Sequence, residues 1–317
     1  MEFWSVLSSI IPSAIAYTMP LLMGALGGLY SERSGVTNLC IEGLMLFGCF
    51  SSAAVIVKLQ AIPGFSYTLA LVIGIIAAMA ASALLSLLHA FASINLKSNQ
   101  VISGTAINML STAVSLFLAQ TITGSGNITI VRGVIRSNIP LLSEIPIIGQ
   151  LLFSRTYWTT WICLSLWLFS WFLLYRTSFG LRLRACGEHP SAVASAGVNV
   201  HRMRYIGVIA SGLLSGLGGA CILVTYAGEY NAGSGINGLG FLAIAALIFG
   251  QWKPLGILGS TFFFGLCMTI ANMGKVFPVF QGIPAGYLGM FPYAATLIAL
   301  ILSSRKSSAP LASGEPF

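Results

Sequence analysis

From residue 59 to residue 96 no side chain carries a charge, and apolar runs of the same kind recur from one end of the chain to the other. A helix needs about 20 apolar residues to cross a bilayer. In hydrocarbon every backbone N–H and C=O must find a partner within the structure, so only helices and closed barrels span. Barrel strands read as short alternating segments, whereas these runs are continuous. Charged residues make up 7% of the 317, and every acid is Glu; a soluble domain carries about a quarter charged residues. The expected fold is all-α: a polytopic helical membrane protein forming one transmembrane domain over 1–317.

About nine transmembrane helices are expected, near 10–30, 37–57, 67–91, 100–123, 157–175, 205–227, 238–252, 254–272 and 286–303. The seventh is short and flanked by glycine, the mark of a broken or re-entrant segment. Two longer polar stretches interrupt the series, an extracytoplasmic loop at 124–156 and a cytoplasmic one at 176–204. With 176–204 inside, the inner side collects Arg33, Lys97, Arg176, Arg182, Arg184, Arg202, Arg204, Lys253, Arg305 and Lys306. The outer side keeps Lys58, Arg132, Arg136, Arg155 and Lys275. That bias places the N-terminus out and the C-terminus in. The net charge of +8 then reports basic loops and anionic headgroups, with no nucleic acid polymer as partner. The opening MEFWSVLSSIIPSAIAY lacks the basic end of a cleaved signal peptide, so the first apolar segment is expected to persist as a span. Within 124–156, Leu and Ile recur at helix-like intervals between Ile139 and Phe153, interrupted by Pro140 and Pro146; this fits an interfacial or docking segment, or equally a packed lid.

The first span ends LLMGALGGLYSERSGVTNL (21–39), and a later stretch reads LLSGLGGACILVTYAGEYNAGSGINGL (213–239). Each has a double Leu, a glycine cluster, then Ser-Gly-(Val or Ile)-x-x-Leu. Ser34 to Val36 and Ser234 to Ile236 fall on opposite sides of the membrane in this topology, as an inverted repeat requires. Spans 1–4 then mirror spans 6–9, with the fifth as connector. Gly24 and Gly28, and Gly212 and Gly216, form GxxxG pairs that allow close helix approach, and packing alone accounts for them.

No P-loop, HExxH, GxSxG or paired-carboxylate pattern occurs, so no enzyme chemistry and no cofactor are expected in this chain. Six cysteines lack CxxC spacing, and neither a disulfide framework nor a metal site is indicated. The polar residues placed to face a substrate pathway are Asn38, Glu42, Asn108, Asn237 and Asn272, with Asn231 at its margin. Each amide also has a plain reading as a hydrogen bond between helices. Asn38 and Asn237 stand out because they flank the corresponding glycine-broken stretches.

The stretch RACGEHPSAVASAGVNVHRMR (184–204) is a polar island between apolar runs. Pro190 suits a first helical position, where its missing N–H leaves no bond unmade, and Gly197 suits the stop of a helix over 190–196. Glu188 stands where a negative charge complements the helix start. Ala192, Val193 and Ala196 offer a small apolar face flanked by Arg182, Arg184, Arg202 and Arg204. So short a helix is unstable alone in water; it is held by the bundle or by another protein. The plain alternative is a polar loop with snorkelling arginines.

Three blocks carry a family resemblance: LRLRACGEHPSAVASAGVNVHRMRYIGVIASGLLSGLGGA (181–220), SERSGVTNLCIEGLMLFGCF (31–50) and GLGFLAIAALIFGQWKPLGILGSTFFFG (238–265). They resemble permease subunits of ABC importers of the branched-chain amino acid/ribose type, in the nucleoside and simple-sugar branch served by basic-membrane-protein lipoproteins. Longer members begin with one more span, which this chain lacks by the same comparison. The resemblance implies a translocation subunit for nucleosides in a bacterial cytoplasmic (inner) membrane, with purine nucleosides ahead of other bases. A cytoplasmic ABC ATPase would hold ATP and Mg, a second homologous permease would complete a heterodimer, and an extracytoplasmic binding lipoprotein would deliver the ligand. The coupling segment would comprise Gly187, Glu188, His189, Pro190, Ala192, Val193, Ala196 and Gly197. The alternatives are a ribose- or galactose-type ABC permease and, further off, an ion-coupled secondary carrier.

Overall fold

The computed structural model describes residues 2–140, 142–147, 149–233, 235–273, 285–303 and 309–317. Helix α1 (Glu2–Arg33) leads to α2 (Ile41–Gln60), α3 (Tyr67–Ala90) and α4 (Gln100–Thr123). The connector α5 (Trp158–Arg176) is followed by two short helices, α6 (Ser178–Glu188) and α7 (Pro190–Ser195). Then come α8 (Val200–Ile222), α9 (Leu239–Phe249), α10 (Pro254–Met273) and α11 (Ala285–Ser303). The helix starts are written in the sequence: Asn99 accepts the N–H groups of Val101 and Ile102, and Asn199 accepts that of Arg202, the N-cap role of Asn. The chain is an all-α multi-pass membrane protein: among the described residues seven helices are long and apolar enough to cross a bilayer, and α11 adds 19 helical residues.

The seventh expected span is broken, as its glycine flanks suggest, and its helix is shorter than the expected 238–252. Its helix covers only Leu239–Phe249, 11 residues or about 16 Å, roughly half of the hydrocarbon core. The stretch leading into it is non-helical, with Gly235, Asn237 and Gly238 all at positive φ. Irregular backbone at such depth survives only where protein or a cavity covers it. Ser234, on which the sequence repeat leaned, lies outside the described residues, as do Lys275, Arg305 and Lys306 of the charge balance.

Helices α1 and α8 pack together at the centre and form the most buried spans. Around them, contacts come in matched sets: α3 on α8 and α10 on α1; α2 on α8 and α9 on α1; α4 on α2 and α11 on α9. Exchanging α1 with α8, α2 with α9, α3 with α10 and α4 with α11 reproduces the set, which is the packing an internal two-fold repeat produces. The glycines permit it. Gly24 and Gly28 face α2 and α9, Gly212 and Gly216 face α3, and a Cβ on Gly219 would stand 1.9 Å from the Met45 carbonyl oxygen.

The two ends of the bundle differ. At the end where α1 begins, 124–156 folds over the helices. Its strand β1 (Asn127–Thr129) pairs antiparallel with β2 (Glu229–Asn231) in the register Ile128 to Tyr230. The Gln60 side chain donates to the Arg132 carbonyl and accepts the N–H groups of Val131 and Arg132. Among its described residues the Ile139–Phe153 stretch holds a 3₁₀ turn and a π turn rather than a regular amphipathic helix. At the opposite end, where α1 stops, lie α6, α7 and the tail 309–317.

Gly219→Val should push α2 and α8 apart, at a cost of about 3 kcal/mol. It should lower the melting temperature in detergent sharply, whereas Gly259→Ala, at a position with open space around it, should leave it unchanged.

Candidate functional site

At the α7 end, Thr177 caps α6 by accepting the Gly180 N–H. Helix α6 runs to Glu188, the extended His189 turns the chain, and Pro190 opens α7. Gly197 at φ +80° closes α7, its N–H donating to Ala194 O while that of Val198 donates to Val193 O, a glycine-terminated helix end. Gly187 is pressed against α1, where a Cβ would come within 2.5 Å of Arg33 O. Glu188 does not cap α7. It reaches back to Arg33 (Nη1 to Oε1, 3.2 Å) and accepts the Leu311 N–H (3.3 Å).

Two expectations about the island are corrected here. Val193 is buried and anchors α7 to the bundle, so the exposed face comprises Ser191, Ala192, Ala194, Ser195 and Ala196. Arg204 does not snorkel: it is 1% exposed, donates to Glu315 O (2.9 Å) and lies beside the Phe317 ring. The tail supplies that cover. Ala312 N donates to Gly187 O, Ser313 Oγ meets Thr37 Oγ1, and Gly314 N donates to Gly35 O. Burial pushes the neighbouring Cys186 thiol up, against the opposing pull of the Arg204 charge, so the thiol stays protonated.

The five interior residues separate into two groups. Asn38 is fully buried; its Nδ2 donates to Ser211 Oγ (2.7 Å) and its Oδ1 accepts the Cys40 N–H. Asn108 donates to Leu39 O and accepts the Gly43 N–H, each at 2.8 Å. These two amides pin the non-helical stretch between α1 and α2. Glu42 accepts the N–H groups of Gly238 (3.0 Å) and Gly240 (2.6 Å), satisfying donors that the start of α9 would otherwise leave orphaned.

Asn237 and Asn272 border a cavity of about 630 Å³ shared with Leu242, Met268, Pro292 and Tyr293. A second cavity of about 350 Å³, which they also line with Tyr293, adds Tyr17, Tyr226 and Asn231. The Tyr293 hydroxyl donates to Asn237 O. The Tyr17 and Tyr226 rings lie 4.6 Å apart between centroids, and the Tyr226 hydroxyl is buried without a hydrogen-bond partner among the described residues. Among the described residues the lining side chains include no Lys or Arg. Volumes of this order suit small-molecule ligands. The tyrosines were the part missed from sequence: with ten Tyr and 19 Phe in the chain, none stood out.

A family model described as the branched-chain amino acid transport system permease component matches residues 10–300. The chain belongs to this permease family. The guanosine ABC transporter permease protein NupQ of Bacillus subtilis (strain 168) is 42% identical, over 100% of this chain and 98% of that protein. The nucleoside ABC transporter permease protein NupC of Lactococcus lactis subsp. cremoris (strain MG1363) is 37% identical over 99% and 98%. A second guanosine ABC transporter permease protein of the same B. subtilis strain, NupP, is 26% identical over 93% of this chain and 81% of that protein.

In this permease, Asn108→Leu should leave the Leu39 carbonyl and the Gly43 N–H unpaired. The loss should be about 2 kcal/mol, read as a lower melting temperature in detergent.

Proposed function

We propose that the permease is the membrane-spanning subunit of an ATP-binding cassette importer that moves nucleosides, with purine nucleosides as the leading substrates. The cavity carries this reading. A nucleoside presents a flat π face and a rim of donors and acceptors, and the cavity offers tyrosine rings beside Asn231, Asn237 and Asn272. Stacking on an aromatic side chain contributes about 1–3 kcal/mol per base. The names of NupQ and NupC, the two relatives matched essentially end to end, agree with it. A simple-sugar substrate, the second sequence expectation, leaves the paired Tyr17 and Tyr226 rings without a stacking partner of their own kind.

In this reading the chain carries no catalytic step. ATP and Mg belong to a cytoplasmic ATPase that receives the exposed small-residue face of α7, with Gly187, Glu188, His189, Pro190 and Gly197 shaping its approach. A second, non-identical permease completes the pore. The presence of NupQ and NupP in one strain, both similar to this chain yet at 42% and 26% identity, favours such a pair. An extracytoplasmic lipoprotein delivers the nucleoside. The end bearing α7 and the tail 309–317 then faces the cytoplasm, leaving the start of α1 outside.

Proteoliposomes holding the permease with its sister subunit, ATPase and binding lipoprotein should take up nucleoside only with ATP inside the ATPase compartment. Gradient-driven uptake by the lone chain would overturn the reading in favour of a secondary carrier. Tyr226→Phe should raise the KM for nucleoside about 5- to 10-fold, the worth of one neutral hydrogen bond, with the number of nucleosides moved per ATP unchanged. Ala192→Trp, on the exposed face, should keep the melting temperature of the isolated permease yet abolish ATP-driven uptake.

A further inference from the structure

The half-helix α9 touches both ends of the machinery described above. Its first turn lines the larger cavity through Leu239 and Leu242, and it is fixed there by the Glu42 carboxylate on the N–H groups of Gly238 and Gly240. The fit is tight: a Cβ on Gly240 would lie 2.4 Å from Glu42 Cα. Its last turn ends at Gly250, and the chain then passes through Gln251 (φ +53°) and Trp252 (φ +51°), both in the left-handed region. Two consecutive non-glycine residues held there are strained and persist only where the surroundings fix them.

Arg33 and Glu32, at the end of α1, do the fixing. The Trp252 carbonyl accepts from Arg33 Nε (3.3 Å) and Nη2 (2.9 Å), while the Trp252 indole N–H donates to the Glu32 carboxylate. The remaining arm of the same guanidinium, Nη1, holds Glu188 Oε1 at 3.2 Å, at the joint between α6 and α7. One planar fork therefore grips the foot of α9 and the base of α7 together, a geometry that Lys, a point charge on a flexible stem, cannot reproduce.

We infer that Arg33 is a positioning residue for transport: it links displacement of the docking helix α7 to the foot of α9, and α9, as a rigid strut about 16 Å long, carries that displacement to the wall of the nucleoside cavity. The inference rests on the proposed ABC reading, and it names a route through α9 where the chain also offers one directly from α7 into α8. A ligand or partner shifts a conformational equilibrium only through contacts that differ between the states, and the Arg33 fork is the contact that makes the pose of α7 and the pose of α9 interdependent.

The test uses the assembled transporter in proteoliposomes, with uptake and ATP hydrolysis measured together. Arg33→Lys should lower the number of nucleosides moved per ATP about 5- to 10-fold, and so should Glu188→Ala. Glu188→Gln, which keeps an acceptor for Nη1 but loses the charge, should fall between Glu188→Ala and wild type. In all three the KM for nucleoside and the melting temperature should hold, which a merely structural role would not allow. Glu188 is partly exposed, so its variants report even where an Arg33 change impairs folding. Wild-type stoichiometry in Arg33→Lys and Glu188→Ala would overturn the inference, leaving the ABC reading intact and assigning the motion to α8. Absence of ATP-driven uptake by the wild-type assembly would overturn both.

Discussion

Backbone-to-backbone contact between α8 and its neighbours is the constraint on which the rest of the bundle depends. Lipid tails are as apolar as leucine, so no hydrophobic drive holds helices together within a bilayer; close packing and polar contacts between helices do. Gly212 and Gly216 let α3 approach to the point where Ser82 and Ser86 touch the α8 backbone, and Gly219 does the same for α2 at Met45. On the other side, Gly207 receives Ser34 and the Tyr30 carbonyl, so α1 closes on the same helix. With α8 gripped on three sides, the chain on both sides of it is placed: β2 at one end beside the lid strand β1, and α7 at the other.

Breaking the helix after β2 follows from the same economy of polar groups. A half-helix opening in mid-membrane exposes N–H groups that water cannot reach, and each unpaired one would be expensive. Glu42 supplies the acceptor from α2, and the price of burying a carboxylate is moderated by two charge-assisted bonds to backbone N–H. The matching irregular stretch between α1 and α2 is pinned by neutral amides, Asn38 and Asn108, and covered by the tail through Thr37 and Gly35. Thus the two glycine-broken stretches correspond in position but differ in chemistry. One is clamped shut by protein; the other opens onto a cavity.

Most of the fold could be read in advance because apolar run length and charge are local quantities. Eight of the expected spans recur as long helices, the first beginning well ahead of residue 10, at Glu2, and Pro190 with Gly197 marks α7 to within one residue. The failures are of tertiary origin. Val193 and Ala196 are indistinguishable by spacing on a two-turn helix, and only the position of the bundle decides that Val193 is the inward one. Arg204 looked like a snorkelling cation because the tail that covers it lies more than a hundred residues further on. Asn237 and Asn272, singled out as rare amides in apolar runs, do line the two cavities, whereas Tyr17, Tyr226 and Tyr293 are lost among many aromatics until the cavity gathers them.

The same geometry bears on what the cavity can hold. Discontinuous helices in transporters commonly turn their positive N-terminal ends toward anionic groups of the substrate. Here that end of α9 is already occupied by a carboxylate of the protein, since Glu42 takes the N–H groups on both sides of Leu239. Among the described residues the lining adds no Lys or Arg, and Glu229 stands at the smaller cavity. An anion entering this space would meet a helix end already paired with Glu42 and a negative neighbour in Glu229. A nucleoside carries a base and a sugar without the phosphate, so its recognition needs rings, amides and hydroxyls rather than charge. In the proposed reading the tyrosines and asparagines provide these, and Glu42, by occupying the usual anion-binding end of a broken helix, would favour neutral ligands over their phosphorylated forms.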